Sequence, residues 1–172
     1  MPRKTITNRL SLGRDGLLVI ILILGVLSGC QRDDLCPSTT QTTPRVVVEF
    51  QDYADPGRSK AVRDLVVIAT DMEDTLLGPV NTNMISLPLR TNQNITEYLL
   101  IQNAGSPSEN TDTIRFSYNR ELQYLNRACG YKANFEDFQA IMLNDQDQWI
   151  QSYTQFVENI EDEEETHISF NH

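Results

Sequence analysis

At 172 residues, with 40% hydrophobic and 22% charged content, the chain has the size of one domain and the composition of a folded one. Its 14 basic and 24 acidic residues leave a net charge of −10, which argues against a partner held through nucleic-acid phosphates. Three cysteines are too few for a cystine scaffold, and the odd number leaves one with a separate role.

Residues 1–29 carry Arg3, Lys4, Arg9 and Arg14 against Asp15 alone, and residues 17–27 form an apolar run of 11. A membrane-spanning helix needs about 20 apolar residues, so this run is too short to cross comfortably. A basic start, a short apolar middle and small residues before a cut site predict a secretory signal peptide over residues 1–29. Leu27, Ser28, Gly29 and Cys30 resemble the lipobox of bacterial lipoproteins. The resemblance implies a diacylglycerol on the Cys30 thiol, cleavage after Gly29 and acylation of the new amine, with palmitate the expected kind of chain. Several chains on one residue anchor a protein stably, whereas a single chain holds it only marginally. No Arg-Arg pair precedes the apolar run, which favours the general secretion route.

The residue after Cys30 is Gln31, so the Asp of the common inner-membrane retention signal is absent. Gln31, Arg32, Asp33 and Asp34 resemble the short export signal of Bacteroidota surface lipoproteins. That implies an outer-membrane protein with its domain exposed on the cell surface. A plain solvated tether is the competing reading of the same four residues.

The mature chain, residues 30–172, holds 10 basic and 23 acidic residues, a net charge of −13. Residues 30–44 read as the lipidated cysteine and a flexible tether, and residues 45–172 as the domain. Val46, Val48 and Phe50 share one face of a strand, and residues 65–68 are apolar on both faces, as suits a central strand. Ile85, Leu87 and Leu89 alternate with Ser86 and Pro88, and the proline favours an edge. Residues 97–101 give a further strand, and Ile114, Phe116 and Tyr118 a one-sided one. Asn119 and Arg120 read as a turn leading into residues 122–131. Turn formers at residues 55–57, 81–83, 92–94 and 105–108 predict loops. Residues 135–160 fit either a helical stripe (Trp149, Tyr153, Phe156, Ile160) or strand faces, and strands are preferred. Such a series predicts an all-β, antiparallel sandwich, Ig-like or transthyretin-like.

Taken together, the lipobox, Asp34-Leu35-Cys36, the strand around Val46–Phe50, Arg127-Ala128-Cys129-Gly130-Tyr131-Lys132 and Thr166-His167-Ile168-Ser169-Phe170 resemble a family of small Bacteroidota lipoproteins of unknown function. The resemblance implies location and a compact β-rich domain, and carries no catalytic residue with it.

Candidate chemistry is sparse. With Cys30 lipidated, Cys36 and Cys129 form an even remainder in an exported protein and are candidates for a disulfide, two buried thiols being the alternative. A catalytic thiol would need an activating base, and the two histidines, His167 and His172, lie near the end of the chain, with Asn171 and His172 expected to fray. His167 is expected opposite Ile168 on a strand or on the solvent face, and no Cys/His spacing matches a zinc site. The acidic run from Glu161 to Glu165 lacks an Asp-x-Asp-x-Asp-Gly calcium pattern and reads as a solvated turn between the last two strands. Tyr118, Tyr124, Tyr131 and Trp149 are either groove-lining or core aromatics. Asp74-Thr75-Leu76 and Asp112-Thr113-Ile114 match a three-residue O-glycosylation motif, making Thr75 and Thr113 candidate sites. No nucleophile elbow, phosphate loop or dinucleotide fingerprint is present. The expectation is therefore a membrane-anchored, non-catalytic binding or structural domain with no metal or cofactor. A periplasm-facing accessory subunit of an outer-membrane barrel and a glycan-acting surface enzyme are the alternatives.

Overall fold

Val46, Val48 and Phe50 alternate along strand β1 (Arg45–Asp52), and all three are fully buried. The computed structural model describes residues 35–70, 75–143 and 146–172; the segment Cys36–His172 is one compact unit. Its described residues contain no helix and ten strands. The others are β2 (Asp55–Ser59), β3 (Val62–Ala69), β4 (Thr75–Thr82), β5 (Met84–Pro88), β6 (Ile95–Gln102), β7 (Asn110–Asn126), β8 (Gly130–Leu143), β9 (Ser152–Gln155) and β10 (Ile168–Asn171).

Two sheets pack as a sandwich. In the first, β1 is flanked on one edge by β10, with β9 outside it, and on the other by β5 along its first half and β2 along its second. The second runs β4-β3-β6-β7-β8. Every pairing is antiparallel except β1 with β10, where Val48 lies opposite Ile168 and Phe50 opposite Phe170 in parallel. That departs from a wholly antiparallel sandwich. More than a hundred residues separate the two strands, so no hairpin dictates their relative direction. Between the sheets, β1 and β10 contribute Phe50 and Phe170, while β6, β7 and β8 contribute Leu100, Phe116 and Phe138.

Ile114, Phe116 and Tyr118 face the core as their alternation predicts, and β5 pairs only with β1 among the described residues, as its Pro88 predicts for an edge. Within residues 135–160, the described residues form the end of β8, strand β9 and irregular chain. Their mixed signal has a physical source at Asp137, which has a positive φ of 50°. There a bulge in β8 advances the register, and both Phe135 and Phe138 are buried. A spacing of three then imitates a helix.

Several expectations need correction. Asn119 and Arg120 do not turn; β7 passes through them, and its turn lies at residues 127–129. Both residues lie where β7 is exposed on both faces, from Asn119 to Tyr124, so no buried side reveals the strand period. Residues 55–57 belong to β2, a fully exposed edge strand, and the turn precedes them at Tyr53 and Ala54. Residues 171 and 172 are fixed, not frayed: Asn171 is buried, and the His172 backbone bonds to Gln51 and Tyr53. Lys60 Nζ donates to the His172 carbonyl at 2.6 Å.

Strand β4 had no counterpart in the sequence reading, because Gly78 and Pro79 interrupt its apolar residues like turn formers. Gly78 (φ +138°) lets β4 lie against β3; an added Cβ would sit 2.6 Å from Val66 Cγ2 and 2.9 Å from the Leu65 carbonyl. Gly78→Ala is therefore expected to destabilise the fold by about 2–3 kcal/mol. The check is the shift in urea midpoint relative to wild type.

Candidate functional site

A concave surface forms where the two sheets present edge strands. Among the described residues, β4 pairs only with β3 and β5 only with β1. Between them runs an open groove of about 500 Å³, lined mainly by Leu76, Leu77 and Val80 of β4 and Met84, Ile85 and Leu87 of β5. Leu76, Val80 and Met84 are exposed. A second concavity of about 450 Å³ shares Leu76 and Pro88 with it and reaches Tyr98 and Thr96. Its polar floor is already committed. The Thr96 and Tyr118 hydroxyls are 2.6 Å apart, Tyr118 donates to the Arg90 carbonyl, and Tyr98 donates to the Pro88 carbonyl. Burial pushes the Tyr118 phenol above its ordinary range. This surface offers apolar contact and strand edges.

At one end of the groove, Arg45 grips Glu163 in a bidentate pair, with Nη2–Oε2 at 2.7 Å and the Arg45 backbone N–H donating to Oε1 at 3.0 Å. These bonds hold the Glu163 carboxyl below its usual range and raise the Arg45 guanidinium. Glu161, Glu163, Glu164 and Glu165 are exposed in the connection from β9 to β10, the solvated turn expected from sequence. Among the described residues no group of three or more His, Cys, Asp or Glu is placed to hold a metal.

His167 is not on the solvent face. It is buried, and its Nδ1 accepts the Val47 N–H at 3.0 Å, so the ring is neutral there. The sequence carried no signal for this role, because the bond spans 120 residues. Burial lowers its pKa against the opposing pull of Asp162, Glu165 and Glu163.

Cys36 and Cys129 are brought together, with an S–S distance of 2.05 Å. The chain that follows Cys36 is held as well, for the Ala133 N–H donates to Thr43 Oγ1 at 3.0 Å. The four candidate aromatics divide. Tyr118 and Trp149 are buried, with Trp149 Nε1 donating to the Leu100 carbonyl, while Tyr124 and Tyr131 stand exposed on β7 and β8. Thr113 is half-buried within β7 between Leu99 and Leu143, and the preceding Asp112 has a structural task. It is buried and accepts the N–H groups of Trp149 (3.3 Å) and Ile150 (2.7 Å). Thr75 is exposed at the start of β4. Leu27, Ser28, Gly29, Cys30, Gln31, Arg32, Asp33, Asp34 and Asp74 lie outside the described residues.

Residues 64–172, more than half of the chain, match a family of unknown function, DUF6452. The chain belongs to the DUF6452 family. The match takes in β4 to β10, including the Arg127–Lys132 and Thr166–Phe170 motifs, but neither β1 nor the lipobox. No curated protein and no solved structure matches the chain. The DUF6452 domain thus shows a sandwich whose family does not name an activity.

Two measurements follow from the geometry. Replacing both Cys36 and Cys129 by Ser opens a 93-residue loop and is expected to lower stability by about 4.6 kcal/mol in the chain-entropy account. Denaturation under non-reducing conditions checks it. The folded-state pKa of His167 lies below the unfolded value, so its contribution is complete above the unfolded pKa of 6.5 and is lost as pH falls through the folded one. His167→Asn is expected to show a shallower loss of stability between roughly pH 7.5 and 5, and about 1–2 kcal/mol less stability at the upper end. Some pH dependence persists in that variant, because burial also lowers the pKa of His172.

Proposed function

We propose that the protein is an outer-membrane lipoprotein, anchored through acyl chains on Cys30, whose β-sandwich is a non-catalytic binding or structural module. The Cys36–Cys129 bridge carries this reading. Disulfides persist in exported compartments, and this one secures the domain from a point six residues after Cys30. A short tether of that kind holds a domain near the bilayer and raises its effective concentration toward membrane partners. Gln31, Arg32, Asp33 and Asp34 support delivery to the cell surface by their resemblance to the export signal.

The groove between β4 and β5 gives the module a surface for recognition. Its walls are apolar, and each wall belongs to a strand with one unpaired edge among the described residues. Edge strands bind extended segments through backbone hydrogen bonds, with alternate side chains entering the groove. This feature also favours a second reading, an accessory subunit that pairs with an outer-membrane protein on the periplasmic side.

Metabolic labelling with a palmitate analogue is expected to mark the wild-type protein and leave Cys30→Ala unlabelled, uncleaved and of higher mass. A Cys30→Ala chain that is still processed and held at the membrane would sink the lipoprotein reading. Added protease in intact cells then separates the two orientations: digestion supports the surface, and protection supports the periplasmic subunit.

A further inference from the structure

The pairing of β6 with β7 ends at Ser117, opposite Ile95. Beyond it β7 continues against β8 alone, from Asn119 opposite Glu136 to Asn126 opposite Gly130. The outer edge of β8 is held by Ile160 at Phe135 and by Thr43 at Ala133, and only toward the turn do the two strands stand as a ribbon, which is marginal in water by itself. This arm nevertheless exposes Leu122, Tyr124 and Tyr131 by 63%, 57% and 66%. Tyr124 lies directly opposite Tyr131, and their rings meet edge-to-face at 5.2 Å. Leu122, two residues from Tyr124, shares that face.

Charge singles out the same element. The mature chain carries −13, yet the exposed charges of residues 119–131 are Arg120 and Arg127 against Glu121, while Lys132 is buried with its Nζ donating to the Glu161 carbonyl. Arg127 is exposed in the turn itself. The disulfide joins this turn, through Cys129, to Cys36. Six residues of fully extended chain reach at most about 21 Å, which bounds the separation of Cys30 from Cys36 whatever path the chain takes.

We propose that the tip of the β7–β8 arm is a membrane-contact surface that seats Leu122, Tyr124 and Tyr131 at the lipid headgroup boundary beside the Cys30 anchor. The inference rests on the lipoprotein reading. Tyrosine suits that boundary because its ring is apolar and its hydroxyl remains hydrated. Arg127 and Arg120 add attraction to anionic headgroups, while the acidic remainder of the domain is repelled by them. The disulfide links anchor and contact so that one lipid attachment also orients the domain.

The test uses the full mature lipoprotein with Tyr124→Trp, reconstituted into phosphatidylcholine–phosphatidylglycerol vesicles whose acyl chains carry bromine. The reading is the emission in excess of wild type, which supplies the contribution of the buried Trp149. The added indole is expected to shift to the blue and to lose about half or more of its emission to the brominated chains. A protein that floats with the vesicles while its added indole stays unshifted and unquenched overturns the contact and leaves lipidation standing. A blue shift without bromine quenching also overturns it, and assigns the face to a second copy or another protein. Failure to float, with no acyl mass on the Cys30 peptide, removes both readings at once. A further variant, Leu122→Ser with Tyr131→Ser, is expected to restore the unquenched signal while non-reducing peptide mass shows the bridge intact.

Discussion

The first sheet depends on β1 being completed by β10. The two meet in parallel, Val48 against Ile168 and Phe50 against Phe170, across almost the whole length of the domain. With β10 in place, β9 gains its partner, and the backbone of His172 closes the turn between β1 and β2. His167 sits just before this strand and both gives and takes at Val47, its N–H to the carbonyl and its Nδ1 from the N–H. The buried imidazole thereby fixes the register at which β10 joins, since a slip by one residue would bury an unpaired ring nitrogen and turn Ile168 and Phe170 outward. Contacts so remote in sequence are entropically expensive to close, so this pairing follows the local hairpins of the second sheet on topological grounds.

Asp112 performs the equivalent task for the second sheet. Its carboxylate accepts two successive backbone N–H groups, at Trp149 and Ile150, and so draws the chain after β8 back over the sandwich. Trp149 then lies against Phe50 and donates to the Leu100 carbonyl, which ties a side chain between the sheets to backbone in one of them. Two polar residues that resemble site chemistry in isolation, a histidine and an aspartate in a tripeptide motif, are thus absorbed by the fold. Each satisfies backbone groups that burial would otherwise leave unpaired.

How much of this was legible in the sequence follows from where alternation survives. Val46, Val48 and Phe50, and likewise Ile114, Phe116 and Tyr118, announce their strands because one face is buried without interruption. At Asp64 and Asp137 the backbone enters positive φ and the period slips, so that Val62 and Leu65, or Phe135 and Phe138, are buried three apart. The β7 stretch from Asn119 to Tyr124 and β2 were obscured for a different reason: their residues are exposed on both faces, and a strand without a buried side has no period to read. The cysteine pair was within reach of counting alone. The groove was not, because its walls come from edge strands of two different sheets, and one wall, β4, is broken by Gly78 and Pro79.

The placement of arm and groove bears on how one small domain can serve two contacts. In the second sheet β4 and β8 occupy opposite edges, with β3, β6 and β7 between them. Four strand spacings separate those edges, about 19 Å at the usual distance between neighbours. The apolar groove lies along β4, and the exposed tyrosines lie on the extension of β7 and β8. The membrane contact proposed for the arm would therefore leave the groove edge free. The acidic connection from β9 to β10 stands at the groove's end through the Arg45–Glu163 pair, and the first residue of its acidic run, Glu161, accepts through its carbonyl from the buried Lys132 at the base of the arm.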